Sequence, residues 1–454
     1  MGVGGPTQGC RSLQKTVGAR VHNGKRVHNG KEDMRVKQME CRGIFDPLPQ
    51  RAKVSKKLGL KAELSMSRIR TFRQRLVEWY RKHKRDLPWR HEPDPYKVWL
   101  SETMLQQTQV DTVIPYYRRF VSRFPTVESL AAASVDEVLK LWEGLGYYRR
   151  AIHLWEAAQI MVAQFGGQLP ADPKLLQRLP GIGRYTAGAI ASIGFGLPVA
   201  ILEANSRRVL TRVFWDLGNE GRPPEEGTLW RLAQKLVPIS DPGTFNQALM
   251  ELGSLVCTAR KPLCGDCPVK RICRAWRLGA VENLSAQVRA SRTLFCKVVA
   301  LAILRQGRVL LWRYGSAERW AMLWDFPRFE IGPGADVFAL AREKASDWTS
   351  CLVKEWTEFG RFRHSVTRFR IEVRCLLAEI RKRDGPLGEP GVEAEGASYF
   401  RVGERWVRKP KQSALERTLR WVRLEELANL PLTAPARKMA GMLSRVLNGQ
   451  FQDA

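Results

Sequence analysis

Met66 opens a helical hydrophobic period: Ile69, Phe72, Leu76 and Tyr80 fall on one face, with basic residues opposite. Helical signals recur from there to about residue 275. Ser134 with Glu137 three positions on is a capping-box pattern that opens a helix running to Trp142, and Gly144 closes it. Short glycine turns separate these helices and no convincing two-residue alternation interrupts them, so residues 66–280 are predicted to be all-α. A polar, basic stretch over 281–293 reads as a linker. The period then changes. Residues 295–304 form a buried apolar run, Gln306-Gly307 a turn and 309–312 the returning strand, while 369–377 alternates in the same way. With helical segments over 335–346 and 434–446, residues 294–447 are predicted to form an α+β domain, followed by a tail over 448–454. Residues 1–65 have little apolar periodicity and repeat RVHNGK at 20–25 and 26–31, so a disordered basic extension is expected there, with Met66 a candidate true start.

Composition narrows the class. A chain of 454 residues with 44% hydrophobic content and 15 tryptophans buries more than one core, so two folded domains are expected. A formal charge of +30, with a pI near 10.2, brings self-repulsion to a folded protein and favours a polyanionic partner, whose binding releases condensed counterions. No apolar run reaches the length of a membrane span and the N-terminus has no signal-peptide stretch, so a soluble, intracellular protein of the cytoplasm and nucleoid, without a membrane partner, is expected.

Cys257, Cys264, Cys267 and Cys273 are spaced C-x6-C-x2-C-x5-C, with Arg260, Lys261, Lys270 and Arg271 beside them. Four thiolates on a short loop with one tight pair suit a 4Fe-4S cluster. A four-cysteine zinc site more often shows two tight pairs, and a disulfide framework belongs to small secreted chains. Cys10, Cys41, Cys296, Cys351 and Cys375 show no ligand spacing and read as ordinary thiols. Leu179-Pro180-Gly181-Ile182-Gly183 followed by Arg184 to Gly188 reads as helix, glycine hairpin, helix. Its glycines permit positive φ and let backbone N–H groups approach a phosphate. Gly-x-Gly also serves as a plain turn, but the neighbouring cysteine loop makes DNA the favoured partner.

Further motifs are Leu87-Pro88-Trp89-Arg90, Trp99-Leu100-Ser101-Glu102, Met104-Leu105-Gln106-Gln107-Thr108-Gln109 and Gly144-Leu145-Gly146-Tyr147-Tyr148. Together with the hairpin and the cysteines, these resemble the helix-hairpin-helix DNA glycosylases with an iron-sulfur loop, and within them the MutY-type adenine DNA glycosylases, over about residues 70–445. The resemblance implies a multidomain fold: an all-α helix-hairpin-helix glycosylase domain with a 4Fe-4S loop at 257–273, then an α+β Nudix-like domain. It also implies a monofunctional adenine DNA glycosylase of base-excision repair with a structural 4Fe-4S cluster. The implied partner is double-stranded DNA with 8-oxoguanine:adenine or guanine:adenine mispairs, bound by a monomer.

Cleaving the N-glycosidic bond of adenine gives a poor anionic leaving group and a sugar with oxocarbenium character, so one protonated acid and one carboxylate are needed. Glu102 is the acid candidate, because apolar neighbours in sequence raise a carboxyl pKa towards neutrality; on its own it reads equally as a surface glutamate. By position the carboxylate is Glu203, followed by Asn205, Arg207 and Arg208, where the family carries aspartate and usually glycine next. The extra methylene moves the carboxylate by about 1.5 Å. Either the backbone retreats or activity is weakened, and the retained Asn205 and arginines favour the first. A glutamate favouring a helix N-terminus is the plain alternative.

Tyr185 stands where the resembling glycosylase-lyases carry the lysine that forms a Schiff base, which implies a monofunctional enzyme with Tyr185 shaping the pocket. Gln107 and Tyr148 match wedge positions that fill the gap left by an extruded base, and Arg90 and Gln247 match positions that read the adenine edge. Tyr148 as a core aromatic and Gln247 as an ordinary helix residue are the alternatives. In the second domain, Trp324-Asp325-Phe326-Pro327 and Leu430-Pro431-Leu432 resemble Nudix segments, but 334–350 supply Gly334 and Glu343 without a glutamate array, so phosphate hydrolysis is not expected. The lesion-reading segment of the family aligns with Val366-Thr367-Arg368, where Thr367 offers a hydroxyl and Arg368 a fixed cation. A glycosylase-lyase and a catalytically weakened damage-binding protein are the rival readings.

Overall fold

The apolar face of the first helix sets the packing of the helical half. In the computed structural model, which describes residues 65–91, 94–214, 224–282, 293–353, 355–380 and 417–449, Ile69, Phe72, Leu76 and Tyr80 are all buried along α1 (Met66–His83). Residues 1–64, most of the expected linker and most of the expected tail lie outside the described residues, which belong to one compact unit over 61–454.

Eleven further helices follow among the described residues of this half: α2 (Pro95–Leu105), α3 (Val110–Arg123), α4 (Val127–Ala131), α5 (Val135–Trp142), α6 (Arg149–Phe165), α7 (Pro173–Leu176), α8 (Arg184–Ala189), α9 (Ala204–Val213), α10 (Glu226–Leu236), α11 (Pro242–Leu255) and α12 (Arg274–Arg277). They build two cores. One gathers Trp99, Phe120, Phe124 and Trp142 from α2 to α6. The other packs Phe72 of α1 against Phe214 and Phe245, edge to face, beside α9 to α11. Helix α2 is buried on nearly every side, so its polar residues Ser101, Glu102 and Thr103 are carried into the interior. Asp94 caps it by accepting from the Lys97 N–H at 3.0 Å, and Pro95 occupies the first turn. Ser134 caps α5 by accepting from the Glu137 N–H, as its sequence pattern predicts.

The second half is a seven-stranded sheet with helices on both faces: β1 (Leu294–Arg305), β2 (Arg308–Arg313), β3 (Trp324–Asp325), β4 (Arg328–Glu330), α13 (Val337–Thr349), β5 (Thr357–Val366), β6 (Phe369–Glu379), β7 (Thr418–Arg423) and α14 (Ala434–Leu447). Strand order is β3-β2-β1-β6-β5, with β4 paired to β1 and β7 to β2. Strand β1 runs parallel to β6, Val298 opposite Val373 and Ala300 opposite Cys375. Gln306 (φ 51°) and Gly307 (φ 72°) make the tight turn between β1 and β2. Strands β3, β4, β5 and β7 escape sequence reading: two are two or three residues long, and β5 carries arginine and glutamate on its exposed face. Helix α14 covers one face of the sheet and α13 the other.

The two halves pack directly. Ala321 and Leu323, from the loop before β3, bury in the first helical core, with Trp320 and Met322 against it. Arg437 of α14 grips Glu143 after α5 through bonds of 2.6 and 3.0 Å, Arg313 pairs with Asp136, and Arg149 donates to the Ser316 carbonyl at 3.0 Å.

Candidate active site

Between the two helical cores lies a cleft of about 420 Å³, within the range of small-ligand sites. Trp89 and Arg90 before α2, Glu102 of α2, Tyr185 of α8, Glu203 and Asn205 at the start of α9, and Gln247, Met250 and Glu251 of α11 all line it. Segments more than a hundred residues apart therefore converge on one volume.

Glu102 is 6% exposed. Burial drives its carboxyl up to about 7; a hydrogen bond from the Tyr185 hydroxyl opposes the rise, Glu203 adds to it and Arg90 counters it. The carboxyl is thus close to half protonated at neutral pH. The Tyr185 phenol is itself pushed well above its ordinary value, by burial first and by Glu102 next, and it also lies 3.1 Å from the Met250 sulfur.

Glu203 is the N-cap of α9. Its Oε2 accepts from the Asn205 N–H and its Oε1 from the Ser206 N–H, both at 2.7 Å, while Ser206 Oγ accepts from the Glu203 N–H. The longer side chain folds back so that each oxygen takes its own backbone donor at the positive end of a helix, an arrangement suited to a charged acceptor. Asn205 accepts from Arg208 at 2.7 Å, and Arg208 also donates to the Gly253 and Cys257 carbonyls. A Cβ on Gly253 would come within 2.6 Å of Asn205 Cβ, so glycine there permits α11 to approach the start of α9.

Arg90 faces the cleft but is already engaged. Its two terminal nitrogens donate to Glu251 at 3.1 and 2.9 Å, and Arg85 binds the same carboxylate at 3.0 and 2.8 Å. Burial raises the Glu251 carboxyl, but the hydrogen bonds from Arg85 and Arg90 outweigh it and hold the group down at about 2. Glu251 is a site residue that sequence reading missed; only its position one turn beyond Gln247 hinted at it. Gln247 lines the cleft and accepts from the Tyr80 hydroxyl through Oε1 at 3.2 Å.

Gln107, Thr367 and Arg368 are exposed. Gln107 (φ 58°) sits on the turn after α2, and Thr367 (φ 52°) with Arg368 forms the tip of the β5–β6 hairpin. The wedge expected of Tyr148 needs correction. Its ring is 7% exposed within the first core and its hydroxyl accepts from the Gly144 N–H at 3.2 Å, so it is a core aromatic; the same turn exposes Tyr147 (53%, φ 48°) instead. In the hairpin, only Gly181 adopts positive φ (74°), with His153 2.8 Å from where a Cβ would lie. Gly183 has ordinary φ (−85°) at the N-cap of α8, with open space where a Cβ would lie.

Cys257, Cys264, Cys267 and Cys273 line one small apolar cavity with Val209, Arg212 and Val256. Among the described residues, no three His, Cys, Asp or Glu side chains gather as ligands of a single metal ion. Burial, with the neighbouring thiols adding, pushes Cys264, Cys267 (to about 12) and Cys273 up. Four sulfurs around one small apolar cavity, with the Arg212 guanidinium 3.3 Å from the Cys257 sulfur, fit a compact cationic core that would offset the charge of four thiolates. Helix α9 thus runs from Glu203 at one end to this loop at the other.

Residues 100–294 match the family model described as HhH-GPD superfamily base excision DNA repair protein, and residues 298–441 match the NUDIX domain model. The chain is 47% identical over 230 residues to the adenine DNA glycosylase of Homo sapiens, covering 49% of this chain and 42% of that protein. It is 36% identical over 317 residues to the adenine DNA glycosylase of Buchnera aphidicola subsp. Schizaphis graminum, covering 69% of this chain and 88% of that protein. To the adenine DNA glycosylase of Schizosaccharomyces pombe it is 31% identical over 369 residues, covering 66% and 80%. The chain spans less than half the length of the human, mouse and rat relatives it matches.

Proposed function

Because the chain belongs to the adenine DNA glycosylases, a helical HhH-GPD domain followed by a Nudix-like domain, we propose that it hydrolyses the N-glycosidic bond of adenine mispaired with 8-oxoguanine or guanine in duplex DNA. The observation that carries this reading is the pairing, in one cleft, of a buried carboxyl poised at about 7 with a helix-capped carboxylate.

Glu102 in its protonated form donates to a ring nitrogen of the extruded adenine, so that the C1′–N9 electron pair leaves with a neutral base. Glu203 faces the positive charge that develops on the sugar. The Glu102 carboxylate then takes a proton from water as its oxygen bonds to C1′, giving adenine and an abasic site. Arg90 and Gln247 read the base edge. Among the described residues lining the cleft there is no lysine, and Tyr185 cannot form a Schiff base, which supports a monofunctional enzyme.

Gln107 and Tyr147 are the wedges, both exposed on turns. Thr367 and Arg368 contact the oxidised base opposite, from the tip of an exposed hairpin. Gly183 at the start of α8 and the basic cysteine loop hold the phosphate backbone. Cys257, Cys264, Cys267 and Cys273 would hold a 4Fe-4S cluster, which when bound supplies rigidity to that loop.

The test is strand cleavage of a duplex with one adenine opposite 8-oxoguanine. Cutting that requires alkali supports the proposal. Cutting without alkali marks a lyase, and tight binding with no release of adenine marks a silent binder.

A further inference from the structure

The wedge turns are unusual in their backbones. Gln107 (φ 58°) and Tyr147 (φ 48°) both sit in the left-handed region, which non-glycine residues rarely occupy unless surrounding structure fixes them. They belong to different segments, one following α2 and one preceding α6, and both are exposed. Neither turn belongs to a helix that would hold it.

One side chain beneath them holds both. Arg150, 9% exposed in the first turn of α6, places Nη1 within 2.9 Å of the Thr103 carbonyl and 2.7 Å of the Met104 and Gln106 carbonyls. Its Nη2 lies 3.1 Å from Thr108 Oγ1, 3.4 Å from the Leu145 carbonyl and 3.1 Å from the Gly146 carbonyl. The guanidinium also lies over the rings of Trp142 and Tyr147, at 5.3 and 5.7 Å. Four N–H groups are therefore shared among six acceptors, three from the end of α2 and its turn, one from Thr108 and two from the glycine turn. Thr103 and Met104 directly follow Glu102. Burial pulls this guanidinium down to about 10, still charged at neutral pH.

We propose that Arg150 is a positioning residue for base extrusion: it locks the Gln107 turn at the end of α2 and the Tyr147 turn before α6 into one unit whose spacing sets where the wedges enter the duplex. A planar fork is needed, because the single nitrogen of lysine cannot reach acceptors in both turns at once. Arg150 touches no reacting atom and leaves the acid itself intact. The inference rests on the glycosylase reading above.

The experiment uses the full chain and two substrates: a duplex with adenine, or 2-aminopurine as a fluorescent reporter of unstacking, opposite 8-oxoguanine, and a duplex with adenine in a three-nucleotide bulge that needs little extrusion. For Arg150→Lys, the fluorescence rise and the single-turnover release from the mispair should fall together by at least ~10-fold, since small misplacements of positioning groups cost that much. Release from the bulge should stay within ~3-fold of wild type, and the pH of half-maximal release should be unchanged. Equal loss on both substrates, or no loss on either, overturns the inference. Wild type that releases no adenine from the mispair sinks the glycosylase reading instead. If Arg150→Lys does not fold, Thr108→Val removes one of the six contacts and should produce the same substrate-dependent pattern in smaller degree; a uniform effect there overturns the inference as well.

Discussion

The Tyr185 hydroxyl donates to Glu102 Oε2 across 83 positions of sequence, joining the second helix of the hairpin to the central buried helix. That bond stabilises the charged carboxylate and so works against burial, which holds the Glu102 carboxyl at about 7.

Removing it with Tyr185→Phe should raise the Glu102 pKa further. Release of adenine needs the protonated acid, so activity is lost as pH rises through that pKa. The alkaline limb of the single-turnover rate should therefore move upward by about one pH unit. A limb that stays in place or moves down contradicts the assignment of Glu102 as the titrating acid.

Glu102→Gln should abolish release yet stabilise the fold at high pH. The folded pKa of about 7 lies above the ordinary 4.5, so the stability linked to the neutral carboxyl is complete below about 4.5 and lost as pH rises through 7. The variant should match wild type in denaturant at pH 4.5 and exceed it at pH 8 by up to about 3 kcal/mol.

Glu251 has the opposite linkage. Its folded value of about 2 means that its contribution is present above 4.5 and lost as pH falls towards 2. Glu251→Gln leaves Arg85 and Arg90 facing a neutral group, and should cost about 3 kcal/mol at pH 7 by urea unfolding. It should also weaken adenine release, because Arg90 loses the partner that orients it.

The two hairpin glycines should separate in their effects. Gly181→Ala meets both a positive φ and the His153 side chain, and should destabilise by about 1–2 kcal/mol. Gly183→Ala meets neither, so its thermal midpoint should be unchanged while DNA binding weakens, as read by fluorescence anisotropy.

Glu143 and Arg437 tie the second domain to the turn that presents Tyr147, and both are largely shielded from solvent. Arg437→Glu should lower release from the 8-oxoguanine mispair, and the exchange Glu143→Arg with Arg437→Glu should recover part of it. A double-mutant cycle should show coupling of about 1 kcal/mol or more.

Several features could be read from residue order because they depend on local chemistry. The helical period of α1, the Ser134 cap, the Gln306-Gly307 turn and the change to strands after residue 293 each follow from side-chain spacing or backbone preference within a few residues. Candidate acids, glycines and thiols were legible for the same reason, as residue types at fixed intervals.

Tertiary structure decided what those residues face. Tyr147 and Tyr148 are identical in type and adjacent, yet one is exposed and the other buried, because a left-handed backbone at the first turns its neighbour into the core. Glu251 and Arg150 show no local signature, since their partners come from segments up to 166 residues away. Spacing along the chain places a glutamate at 203 but does not encode its fold-back onto two N–H groups at the start of α9. Burial, charge pairing and the direction of a side chain arise from segments brought together through space, and no spacing along the chain encodes them alone.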